Sequence, residues 1–459
     1  MRKHTVLFLL LILPVFTIAQ KTIVSGTVTN GKGQVVRMLA FDDFISKKII
    51  KLGESTVGND GNFSMEFELK ETVGAFLDIN YQRAEIFLEP DASYSINISY
   101  DPANQLESYF DRQGLVYDFA QADEHELNHI IWQFNAMYNK FVMENFEHIV
   151  KLHDKARVAD FRAEVDQTFA DVDHPYFKDY MTYKMADVYQ FARLKGKQAL
   201  ADDYFTDKPV LYNNVEYAFF FDEFFEKFLT SSPHIITISD LIIAVNDSSS
   251  NQMILRALNE VSYLKNEGFR ELVLIHGLRS MYYNGTYKKP QLLSMIDDIK
   301  IGSHNPMHKR IAANLLKSLN YLAPGSPAPD LVLTNLGGHQ FHLRDIKGKP
   351  ILLTFFRSGQ KGTKNSFENL AELYNHFRSG LEIISVSMDD DPEAFIPLAN
   401  SGNYHWTFAH FGNNPSVLDS YDIRNLPMYV LIDVEGNISV YPAPPPGDEL
   451  ERAVMKVIH

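Results

Sequence analysis

From Lys21 to about Asp101 apolar and polar positions alternate: Phe63, Met65, Phe67 and Leu69 fall on one side of the chain, and Tyr94, Ile96, Ile98 and Tyr100 repeat the pattern. A period of two is that of a strand with one buried face. Asn30-Gly31, Asp60-Gly61 and Pro90-Asp91 carry turn chemistry, so residues 20–103 are predicted to form an all-β sandwich of antiparallel strands.

Beyond Pro102 the period lengthens. Ile130, Phe134, Tyr138 and Phe141, and later Ile254, Leu258, Val261 and Leu264, recur at helical spacing. His174-Pro175, Ser232-Pro233, Asn284-Gly285 and Asn305-Pro306 cut this stretch into separate helices without a fixed repeat. Residues 104–320 are predicted to be an all-α domain. Tyr217, Phe219, Phe220, Phe221, Phe224, Phe225 and Phe228 are too apolar for an exposed helix; they belong to its core, with a partner groove as the alternative.

A Pro-rich linker, Ala323 to Asp330, leads into a third pattern. The buried run Ile351–Phe356 precedes a helix with Phe367, Leu370, Leu373, Tyr374 and Phe377 on one side. Leu381–Val386 is the next buried strand. Met428–Asp433 and Ile438–Tyr441 form a hairpin through Glu435-Gly436-Asn437, and Leu450, Val454, Val457 and Ile458 close the chain with an amphipathic helix. Strands alternating with helices predict an α/β domain over residues 321–459.

Composition narrows the function. Residues 1–19 have a basic start (Arg2, Lys3), an apolar run from Val6 to Ile18 and a small-residue exit at Ala19, the layout of a cleaved secretory signal peptide. A periplasmic or secreted protein is expected, without a transmembrane segment or lipid anchor. The formal net charge of −15 excludes nucleic acid as a partner. The chain contains no cysteine, which excludes disulfides, thiolate metal sites and every thiol-based mechanism.

The segment Ser326-Pro-Ala-Pro-Asp330-Leu331, the stretch Leu343 to Lys349 and the strand Ile351–Phe356 together resemble the start of TlpA-type and related AhpC/TSA-type thioredoxin-like domains, whose intact members are thiol-disulfide oxidoreductases. The resemblance implies a Cys-x-x-Cys turn after that strand. In this sequence Gln360 and Thr363 stand at those places. A helix N-terminus lowers a thiol's pKa and the thiolate attacks; neither an amide nor a hydroxyl ionises that way. No base accompanies Thr363, so it and Asn365 are read as residues that cap or start the helix. The resemblance also implies a cis-proline at Pro427, whose preceding residue, Leu426, offers its backbone to an extended peptide, with a purely structural turn at Pro427 as the alternative. Arg357, Lys361 and Lys364 near Gly362 form a candidate anion face.

One further pattern competes. His125-Glu126-Leu127-Asn128-His129 fits His-Glu-x-x-His, in which two histidines one helical turn apart bind zinc and the glutamate polarises its water. The capping alternative makes Asp123 the N-cap, with Glu126 three residues later. The expected function is therefore that of a redox-inactive, exported thioredoxin-like protein with a binding or scaffolding role in the cell envelope, its partner an extended peptide or an envelope protein, without a cofactor and without enzymatic activity. The alternative is a zinc hydrolase built on His125, Glu126 and His129.

Overall fold

The computed structural model describes residues 21–80, 82–102, 114–121, 123–389, 391–402, 404–412, 416–423 and 425–458. The expected signal peptide lies outside them. Among the described residues, no helix is long and apolar enough to cross a membrane.

Strands β1 (Lys21–Thr29), β2 (Val35–Phe41), β3 (Ile49–Thr56), β4 (Asn62–Glu68), β5 (Val73–Ile79), β6 (Gln82–Leu88), β7 (Ser93–Ser99) and β8 (Val116–Phe119) form two sheets, ordered β4-β1-β7-β8 and β3-β2-β5-β6. The alternation works as expected: Phe63, Met65 and Phe67 of β4 and Tyr94, Ile96 and Ile98 of β7 are buried, and the residues between them are exposed. They meet Val24, Met38, Leu77 and Ile86 in one core.

Two expectations are corrected here. The sandwich is not wholly antiparallel, because the chain changes sheets after β6 and β7 returns beside β1 in the same direction. The two backbones approach closely at Gly26, where an added Cβ would stand 1.7 Å from the Ile96 carbonyl oxygen. The sandwich also extends past residue 103, since β8 pairs with β7 inside the segment whose periodicity reads as helical. Four residues are too few for a period to register.

The middle of the chain is helical from Leu127–Val150 to Pro306–Asn320. Two of the proline breakers are helix starts: His174 and Asn305 accept N–H groups of the following turn, and Pro175 and Pro306 open the helices, where a missing N–H costs nothing. The aromatic run is core. Tyr217, Phe220, Phe221, Phe224, Phe225 and Phe228 are buried, and Phe219 alone of the run is half exposed.

Sandwich and helices share this core. Phe44 and Ile45, from the loop between β2 and β3, are buried among the helical aromatics, and Phe44 sits edge-on to Tyr217 and Phe221 at 6.1 and 5.4 Å between ring centres. Around them Asp42 pairs with Arg310, and Asn314 donates to Asp42 at 2.6 Å and Asp43 at 2.8 Å.

The last third is one sheet of strands β9 (Val332–Asn335), β10 (Gln340–His342), β11 (Ile351–Phe356), β12 (Glu382–Ser387), β13 (Thr407–His410), β14 (Met428–Ile432) and β15 (Ile438–Val440), in the order β10-β9-β13-β12-β11-β14-β15. β11 lies centrally, parallel to β12 and antiparallel to β14, and every residue of it is buried. The helices Thr363–Phe377 and Asp448–Ile458 cover one face through Phe367, Leu370, Leu450 and Val454. The linker is itself docked: the Gly325 N–H donates to the Ile438 carbonyl, and the Ile438 N–H donates to the Ser326 carbonyl, both at 2.7 Å. It covers the outer edge of β15 as a strap.

Candidate functional site

β11 ends at Phe356, and a tight turn from Arg357 to Gly362 delivers the chain into the helix Thr363–Phe377. The turn is closed internally: the Gln360 N–H donates to the Arg357 carbonyl at 3.3 Å and the Thr363 N–H to the Gln360 carbonyl at 3.2 Å. Gly362 occupies the N-cap with φ of 94°, a left-handed conformation open to glycine, and supplies no side-chain cap. Thr363 and Asn365 therefore do not cap. Thr363 is the first helical residue, only 1% exposed, and its hydroxyl donates back to the Arg357 carbonyl at 3.0 Å; Asn365 is exposed on the helix surface.

Of the expected cationic face, Lys361 and Lys364 are exposed, and Arg357 is drawn inward, its Nε donating to the Met388 carbonyl at 3.3 Å. An internal anion lies under the turn. The Asp389 carboxylate accepts the Ser358 N–H at 3.1 and 3.2 Å and the Ser387 hydroxyl at 2.7 Å, and His410 Nε2 meets the Asp389 carbonyl at 2.7 Å. Sequence reasoning passed over Asp389. Its signal was present, an acid two residues past the end of β12, a largely buried strand that runs parallel to β11 and so ends at the same side of the sheet.

Across the turn stand Leu426 and Pro427, joined by a cis peptide bond and both half-buried. The Gln360 side chain is exposed and bridges the gap: its Nε2 donates to the Leu426 carbonyl at 2.6 Å. Gln360, Leu426 and Pro427 are thus brought together at one end of the sheet. Thr363 lies beneath them with its hydroxyl committed to the main chain. No group there can ionise to a nucleophile at neutral pH.

The zincin-like pattern assembles differently from either expectation. The helix begins at Leu127, with Glu126 as its N-cap, so Asp123 is not the cap. His125 lies outside the helix, exposed, with its N–H donating to Asp123 Oδ1 at 2.9 Å. Two histidines off a common helical face do not form the expected pair of zinc ligands. Glu126 is occupied as well: one carboxylate oxygen accepts the His129 N–H at 3.1 Å and the other the Asn128 side-chain amide at 2.6 Å. Among the described residues, no group of three histidine, aspartate or glutamate side chains is placed to hold a metal ion. Among the described residues the hydrolase alternative therefore finds no third ligand and no free general base at Glu126.

Comparison with known proteins is confined to the C-terminal third. Residues 348–438 match the family model described as thioredoxin-like. The thiol-disulfide oxidoreductase ResA of Bacillus subtilis is 32% identical over 118 residues, which are 26% of this chain and 65% of that protein. ResA of Geobacillus kaustophilus is 29% identical over 152 residues, 33% of this chain and 87% of that protein. The chain thus spans just under two thirds of the Bacillus relative. Among solved structures, the thioredoxin domain of a thiol-disulfide oxidoreductase from Bacteroides vulgatus is 31% identical, aligned over 30% of this chain and 99% of that one with a TM-score of 0.28.

Proposed function

Since the C-terminal third belongs to the thioredoxin-like family and has no cysteine, we propose that it is a binding module that seats an extended polypeptide along Leu426, outside the cytoplasm. The observation that carries this reading is the Leu426 carbonyl, which accepts an amide N–H from an exposed side chain at 2.6 Å, the bond an added strand would make there. Main-chain pairing of this kind needs neither thiol nor metal. The signal-peptide pattern of residues 1–19 supports the exported location, and the docked strap at β15 ties the linker to the sheet that carries the site.

The test is selection of a phage-displayed random dodecapeptide library on the full chain from Lys21, followed by hydrogen exchange of the complex. The reading expects peptides that slow exchange in the segment around Leu426 and leave disulfide substrates untouched. Recovery of no binding peptide, or protection confined to other surfaces, would refute it.

A further inference from the structure

We propose that Gln360 is a built-in latch on the Leu426 edge: its side-chain amide occupies the acceptor that an incoming peptide needs, and a peptide binds by displacing it. The inference rests on the edge-binding reading and adds its regulation.

Three observations place the amide in that role. The acceptor and donor are 66 residues apart in sequence, and the 2.6 Å bond between them joins two different loops, so it is a tertiary contact rather than turn closure. The backbone of Gln360 is fixed on both sides, by its own N–H on the Arg357 carbonyl and by its carbonyl under the Thr363 N–H. Thr363, buried and hydrogen-bonded to the Arg357 carbonyl, fastens the same turn from below. The side chain, by contrast, is exposed and can rotate into solvent without disturbing the turn. A fixed anchor with a free arm is the arrangement a displaceable contact requires. A primary amide also presents the same N–H chemistry as a peptide backbone, so the bond surrendered and the bond gained are alike.

The net cost of displacement is that of exchanging one exposed hydrogen bond, small enough to be reversible and large enough to measure. An occupant without an N–H or O–H donor at this position loses the bond outright; an extended main chain replaces it in kind. The latch therefore selects for strand-like partners and keeps the carbonyl satisfied in their absence.

The experiment uses fluorescein-labelled dodecapeptides selected on the wild-type chain and measures their anisotropy with wild type, Gln360→Ala and Gln360→Glu. Alanine removes the arm, and glutamate keeps its size while replacing the donor with an acceptor. Both variants are expected to bind about fivefold tighter, the factor carried by one net hydrogen bond. Equal affinity in all three proteins would overturn the latch and leave edge binding intact. Weaker binding by both variants would also overturn it, by making Gln360 part of the peptide contact. Absence of binding to any form would remove the edge-binding reading and the latch with it.

Discussion

The Asn128 side chain closes on the main chain of Phe87 from both sides: its oxygen accepts the Phe87 N–H at 2.6 Å and its nitrogen donates to the Phe87 carbonyl at 2.8 Å. Phe87 lies on β6, an edge of the sandwich, and Asn128 is fully buried in the first turn of the Leu127–Val150 helix. The amide does the work of a neighbouring strand. Glu126 holds that amide with one oxygen and caps the helix with the other, so the His-Glu-x-x-His pattern is a joint between sheet and helix.

Replacing Asn128 with leucine leaves a buried N–H and carbonyl of Phe87 unpaired. The expected loss is about 2–4 kcal/mol of stability, read from urea unfolding of the full chain. His125→Ala, at an exposed position, should stay within about 0.5 kcal/mol of wild type. If the histidine variant were the costlier of the two, the joint would be wrong.

Asp187 gives the stability curve a slope. Burial pushes its carboxyl up to about 6, with Lys184 opposing and the charges of Glu216 and Glu223 adding to the rise. In the unfolded chain an aspartate titrates near about 3.9. Between about pH 4 and 6 the folded protein thus keeps a proton that the unfolded chain has released, and stability falls as pH rises through that window, then levels off. Asp187→Asn should remove this component of the fall and gain about 1 kcal/mol at pH 7.5, after allowance for solvent screening of a half-buried group, with little change at pH 4. Unfolding midpoints at pH 4, 5, 6 and 7.5 measure it.

Gln360→Cys/Thr363→Cys restores a Cys-x-x-Cys spacing at the helix start. The wild-type chain is expected to leave insulin disulfides intact. The double variant should form an internal disulfide, seen as two maleimide-reactive thiols that vanish on oxidation and return with reductant. Thiols that stay reactive after oxidation would show that Gln360 and Thr363 do not occupy the places of the family's cysteines.

Phe44 tests whether sandwich and helices fold as one body. Truncation to alanine removes a ring buried among Tyr217 and Phe221 and should cost about 3–5 kcal/mol. Circular dichroism of strand and helix signals should shift to lower temperature together. A shift in one signal alone would mean that the shared core does not couple them.

Much of this protein is legible in its sequence. The period of two in Phe63, Met65 and Phe67, the helical spacing of Ile130, Phe134 and Tyr138, and the apolar run Ile351–Phe356 assigned three kinds of structure, because burial acts on each residue through the local repeat of its own element. The absence of cysteine settled the redox chemistry without any geometry, since no other side chain replaces a thiolate. What periodicity does not carry is which elements meet. The parallel β1–β7 pair, the strap on β15, the joint of Asn128 with Phe87 and the reach of Gln360 to Leu426 all link segments distant in sequence, and a hydrogen bond records no trace of its partner in the chain that donates it. The His-Glu-x-x-His pattern shows the difference: its spacing is compatible with a metal site or a helix cap, and only the packing of β6 against the helix start decides between them, by burying Asn128 where a backbone edge must be satisfied.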